Sequence, residues 1–152
     1  MAGVVFFFEE HEMDVYSGRR IDLAAWNYAL KAAGDIKNVI LVNRTKQVVK
    51  TFDAEINFKA VDRFPSLDGE VIYVICPWNK YEGVRHDLWT FDHHVDWYVF
   101  GPAHGWGGIM PKNSVTIPQS NDQCAIHAPH IATVVMMHRY SVIGGEKWRS
   151  QL

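Results

Sequence analysis

The chain has 152 residues, enough for one domain with a buried core. Hydrophobic residues make up 48% and charged residues 21%, a globular balance that excludes a disordered chain. A net charge of −2 and a pI near 6.4 give no overall attraction to nucleic acid, so such a partner requires a local basic patch.

The opening MAGVVFFFEE holds five apolar residues in a row before two acids. That run is too short to span a bilayer and lacks the basic flank of a secretory signal, so no membrane association is expected. Residues 4–8 read as a buried strand, β-branched and aromatic without polar alternation. After a polar loop comes IDLAAWNYALKAAG, where Ile21, Ala25, Tyr28 and Ala32 recur at helical spacing beside a stripe of Leu23, Trp26, Leu30 and Ala33. This predicts a helix apolar over most of its surface and stopped at Gly34. NVILVN, at 38–43, is a second buried strand. Strand, helix and strand with continuous apolar runs predict a βαβ unit and hence a parallel sheet.

Residues 44–68 carry weaker signals: KQVVKTF and INFKAV are candidate short strands, and FPSLD a candidate helical turn. EVIYVIC (70–76) and DWYVFG (96–101) are further buried strands, with FDHHVDW as the polar turn into the second. SVTIP (114–118) is a short fifth strand. In the last helix, APHIATVVMMHRYSVIGG, Pro129 suits the first turn. Ile131, Val134, Val135 and His138 mark one face, and Gly144 and Gly145 mark the end. No repeat or linker divides the chain, so a single domain over 1–152 is expected, an α/β fold with a mostly parallel sheet flanked by helices. Cys76 and Cys124 fit free thiols in a reducing, cytoplasmic setting.

In parallel sheets, ligands bind beyond the carboxyl ends of the strands. Three loops there have unusual composition: CPWNK (76–80), GPAHGWGG (101–108) and IPQSNDQCAIHAPH (117–130). Their glycines let backbone groups approach a ligand closely; the plain alternative is a set of tight turns. GPAHGWGG lacks the Lys-Ser/Thr of a phosphate loop. His93 and His94 are adjacent, and His127 and His130 stand three apart. With no Cys-x-x-Cys or His-Glu-x-x-His spacing, no metal site is expected.

Taken together, DWYVFGPAHGWGG, SVTIPQ and QCAIHAPHIATVVMMHRY resemble the SPOUT superfamily of S-adenosylmethionine-dependent RNA methyltransferases, in its SpoU-like, ribose 2′-O-methylating branch. The family pattern is a strand ending in Phe-Gly-Pro-Glu, an Ile-Pro strand end, and a short segment opening an aliphatic helix. The βαβ unit and EVIYVIC fall in the same order, so about four-fifths of the chain can be laid on that plan, with 44–68 left unassigned. The resemblance implies a C-terminal trefoil knot with S-adenosylmethionine bent into it, a homodimer built on the knot helices, and a tRNA or rRNA substrate. By position it implies a cofactor pocket of Cys76, Pro77, Phe100, Gly101, Pro102, Gly105, Ile117, Pro118, Ala125 and Ile126, which act mainly through backbone groups. Trp78 and Trp106 border that pocket as base-stacking candidates. Trp26, Tyr28, Met136 and Met137 are candidates for the dimer surface.

The chain departs from the family where chemistry is done. The asparagine and arginine of the first helix correspond to Asp22 and Tyr28, the glutamate of Phe-Gly-Pro-Glu to Ala103, and the asparagine before the last helix to His127. Arg19 and Arg20, just upstream of the first helix, are candidates for the missing catalytic arginine and for phosphate contacts. His127, held neutral at a helix N-terminus, is the candidate base, its alternative being a capping or packing histidine. Two functions follow: an RNA methyltransferase, or a degenerate SPOUT-fold protein that binds cofactor, RNA or a protein partner without transferring a methyl.

Overall fold

The computed structural model describes residues 2–8, 23–33, 36, 38–43, 57–75, 83–101, 111–117 and 128–144. The two strongest apolar runs form β1 (Gly3–Phe8) and β2 (Asn38–Asn43), joined through α1 (Leu23–Ala33). Then come β3 (Lys59–Val61), β4 (Val71–Val74), β5 (Val84–Asp87), a single 3-10 turn (Leu88–Thr90), β6 (Trp97–Phe100), β7 (Asn113–Thr116) and α2 (Ala128–Ile143). The strands make one sheet in the order β3-β2-β1-β6-β4-β7-β5, and every pairing is parallel. The chain reaches β4 and β5 first. It then inserts β6 between β1 and β4, and β7 between β4 and β5.

Both faces of the sheet are covered, which is why its central strands read as unbroken apolar runs. Val4, Phe6, Leu41, Ile72, Tyr98, Phe100 and Val115 point to one face, where α1 and α2 pack side by side. There the Trp26 ring stacks on Phe6 at 4.4 Å and meets Phe100 edge-on at 5.5 Å. Val5, Phe7, Val42 and Val99 point to the other face. Residues 62–70 run across that face, with Phe64 stacked on Phe7 at 6.1 Å. Gly69, at a φ of 91°, turns this segment into β4. The Glu70 amide then donates to the Asp96 carboxylate at 2.8 Å, which ties the starts of β4 and β6 together.

Three expectations are corrected, and one strand had not been expected. FPSLD is not a helical turn: it is irregular chain that crosses the sheet face between the end of β3 and the start of β4, four strand spacings or about 19 Å away, with Phe64 packed on Phe7. The edge strand β5 gave no sequence signal, because only His86 of its four residues is even half-buried. Trp26 and Met136 are 3% and 0% exposed in the chain's own core, so they form no docking surface. Val134, grouped with Ile131 and Val135 on one face of the last helix, is 38% exposed where those two are buried. INFKAV yields β3, whereas KQVVKTF and the Gly34 stop lie outside the described residues.

Candidate functional site

An all-parallel sheet gathers the carboxyl ends of its strands on one edge. β6, β4 and β7 are consecutive in the sheet, and Val74 of β4 is level with Phe100 on one side and Val115 on the other. The Ile75 amide extends the β4–β7 ladder by donating to the Val115 carbonyl at 3.1 Å. The segments 76–82, 102–110 and 118–127 therefore leave three neighbouring strands at nearly one height. β1 flanks β6 with Phe6 level with Phe100, and it runs two residues further. The segment that carries Arg19 and Arg20 thus leaves the same edge.

Of the residues expected at the site, Phe100, Gly101 and Ile117 are described. All three sit on this edge, Phe100 ending β6, Gly101 one residue beyond it, and Ile117 one residue beyond β7. Phe100 is 1% exposed, its side chain turned into the helix-covered core, so it meets the edge through its backbone. Gly101 is half-buried and presents no side chain, while Ile117 is half-buried against the same core. Cys76, Pro77, Trp78, Pro102, Gly105, Trp106, Pro118, Ala125, Ile126 and His127 lie outside the described residues, as do Arg19 and Arg20. Backbone groups past the last ladder bond are the ones a flat, polar-edged ligand can engage, and a glycine there permits close approach.

A second polar concentration, missed in the sequence, lies on the helix-covered face. His93 is 4% exposed and forms hydrogen bonds with the Tyr98 hydroxyl at 2.6 Å and with His138 at 2.7 Å. The His93 pKa is lowered to about 4, by burial first and then by the nearby His138 and Arg139, with Asp92 opposing them. Adjacent His93 and His94 were the only hint, and they gave no sign of the partner 45 residues away. Among the described residues no three His, Cys, Asp or Glu side chains converge as a metal site requires, and no helix is long and apolar enough to cross a membrane.

No protein-family model matches the sequence, and no curated protein matches it. The three-dimensional structure does have matches. One is a protein solved for insight into the 2-OH methylation of C/U34 on tRNA; it superposes with a TM-score of 0.64 at 15% identity, over 95% of this chain and 97% of its own. A probable methylase family protein from Haemophilus influenzae gives 0.66 at 15%, over 98% and 67%. The SpoU methyltransferase AviRb from Streptomyces viridochromogenes, in complex with the cofactor AdoMet, gives 0.61 at 12%, over 100% of this chain and 62% of its own. The fold is that of the SpoU methyltransferases. This chain spans about three-fifths of the length of the Streptomyces enzyme.

Proposed function

We propose that the chain binds S-adenosylmethionine at the edge formed by β6, β4 and β7 and transfers its methyl group to RNA, at a ribose 2′-hydroxyl of tRNA or rRNA. The observation that carries this is the level ending of those three adjacent strands, from which all three glycine- and proline-marked loops depart. The SpoU fold supports it, as does the AdoMet complex of the Streptomyces enzyme. The trefoil knot belongs to the same reading; its path depends on the segments after β6 and β7, which lie outside the described residues.

Gly101 and the backbone at Phe100 and Ile117 form the described part of the cradle, completed by Cys76, Pro77, Pro102, Gly105, Pro118, Ala125 and Ile126. The cofactor supplies an already activated methyl on a sulfonium, so the protein's main task is to hold the attacking oxygen in line. Trp78 and Trp106 stack the bases that flank the target, and Arg19 and Arg20 hold phosphate. His127 takes the hydroxyl proton as the oxygen gains its methyl. A homodimer fits the exposed surface: among the described residues, every exposed large hydrophobic except Val84 lies on α1, α2 or the 3-10 turn.

Calorimetric titration with S-adenosylmethionine and S-adenosylhomocysteine tests the pocket; saturable binding near one per chain is expected, and a folded protein that binds neither overturns it. Methyl incorporation into tRNA and rRNA, lost in Arg20→Ala and reduced in His127→Ala, tests the reaction. Tyr28 and Ala103, where the family has arginine and glutamate, favour a second reading, binding without transfer. Saturable cofactor binding with no RNA methylated selects it.

A further inference from the structure

Residues 88–96 carry the chain from the edge strand β5 back to β6 across the helix-covered face, with Leu88 and Phe91 buried in its core. One side chain fixes that crossing to α2. His93 has a backbone φ of 61°, in the left-handed region that is costly for a residue with a Cβ, so its surroundings must hold it there. Both ring nitrogens are engaged: Nδ1 is 2.6 Å from the Tyr98 hydroxyl of β6, and Nε2 is 2.7 Å from Nδ1 of His138 on α2. Trp89 stands edge-on to His138 at 5.7 Å, so the exposed face of the 3-10 turn is joined to the same array.

A neutral imidazole has one N–H and one lone pair, so the array closes in either of two directions. In one, the Tyr98 hydroxyl donates to His93 Nδ1, and His93 Nε2–H donates to His138 Nδ1. In the other, His138 Nδ1–H donates to His93 Nε2, and His93 Nδ1–H donates to the Tyr98 oxygen. One added proton fits on either ring, because a single N–H still faces a single lone pair between them. A second proton does not fit, because two N–H groups would then meet head-on and two cations would lie 4.9 Å apart between ring centres.

We propose that Tyr98, His93 and His138 form a proton-operated latch between the 88–96 crossing and the last helix, closed with at most one proton on the two rings and open with two. Among the described residues, the titratable and charged groups facing His93 are Tyr98 from β6, His138 and Arg139 from α2, and Asp92 and His94 beside it in the crossing. His86 of β5 stands behind Phe91, whose ring touches both histidines. Arg139, 4% exposed, adds a fixed positive charge that opposes the second proton. Asp92 is exposed to solvent and offsets this only weakly. The latch therefore stays closed at neutral pH and opens as the pH falls towards 4. Opening frees Trp89 and α2 from the crossing while the sheet keeps its pairings. The inference does not depend on the proposed methyl transfer.

The test follows histidine ring nitrogens by NMR in the full chain from pH 8 to 4, together with hydrogen-exchange protection factors for α2. As the pH falls from about 6.5 to about 4, protection across α2 is expected to fall by up to roughly tenfold per pH unit and then level off, while β1 and β2 keep theirs. In His138→Gln the side-chain carbonyl accepts from a protonated His93, so protection should persist in acid. Two protonated rings with α2 still protected in the unmodified chain would overturn the latch, without recourse to any variant. So would the same acid loss in His138→Gln, or α2 protection that is indifferent to pH.

Discussion

The edge proposed to hold the cofactor and the His93 crossing border one sheet but are built differently. At the edge, backbone does the placing: the central strands point their side chains into the two cores and leave their carboxyl ends level. Such a site tolerates side-chain change, which fits a fold that persists at 15% identity. At the crossing, two side chains, Tyr98 and His138, hold the strained His93 through its two ring nitrogens, and removing either partner's polar group leaves a buried nitrogen unmatched. The edge is sensitive to what lies beneath it, and the crossing to what lies in it.

Removing the support beneath the edge gives the largest effect. Phe100→Ala deletes a fully buried ring that packs on Trp26, and should cost about 3–5 kcal/mol in urea denaturation. Because it also lowers the floor under the level strand ends, cofactor affinity should fall with it. Unchanged affinity in the folded variant would show that the edge does not depend on that ring.

Acid should act on the crossing and spare the edge. The His93 pKa is lowered to about 4 in the fold, against an unfolded value near 6.5, so the unfolded chain takes up this proton first as pH falls. The stability this group contributes is complete above pH 6.5 and declines between 6.5 and about 4, by on the order of 3 kcal/mol. His93→Asn, which suits the left-handed backbone but does not titrate, should be less stable at pH 7 and show a shallower acid slope. Denaturation midpoints at pH 7, 5.5 and 4.5 check both.

The same contrast explains how much could be read from the sequence. β1, β2, β4 and β6 were legible because burial on both faces leaves no polar alternation to confuse. β5 was not, since an exposed edge strand of Val84, Arg85, His86 and Asp87 has neither run nor alternation. The α1 stripe announced a helix but not its orientation, which is why Trp26 was expected on a surface and is found stacked on Phe6. For the site, the loops stood out by their glycines and prolines. That β6, β4 and β7 are neighbours follows only from two strand insertions, which no local pattern encodes. The His93–His138 contact joins residues 45 apart without periodicity, so it had no signal at all.

Two smaller changes sharpen the comparison from outside either region. Gly69→Ala adds a Cβ at a φ of 91° that runs into the Asp96 carboxylate, disturbing the bond from the Glu70 amide at the opposite end of the sheet. A loss of about 1–3 kcal/mol is expected, with cofactor affinity per folded molecule unchanged. Met137→Lys should cost the least stability. The side chain is 59% exposed on the outer side of α2, so its replacement should change the unfolding free energy by less than about 0.5 kcal/mol. If α1 and α2 form the dimer surface, a desolvated ammonium there should still weaken association by tenfold or more, roughly the effect of 1.4 kcal/mol. Sedimentation at several concentrations measures this directly. A dimer with unaltered affinity would place its interface elsewhere, and the exposed row on α2 would then need another partner.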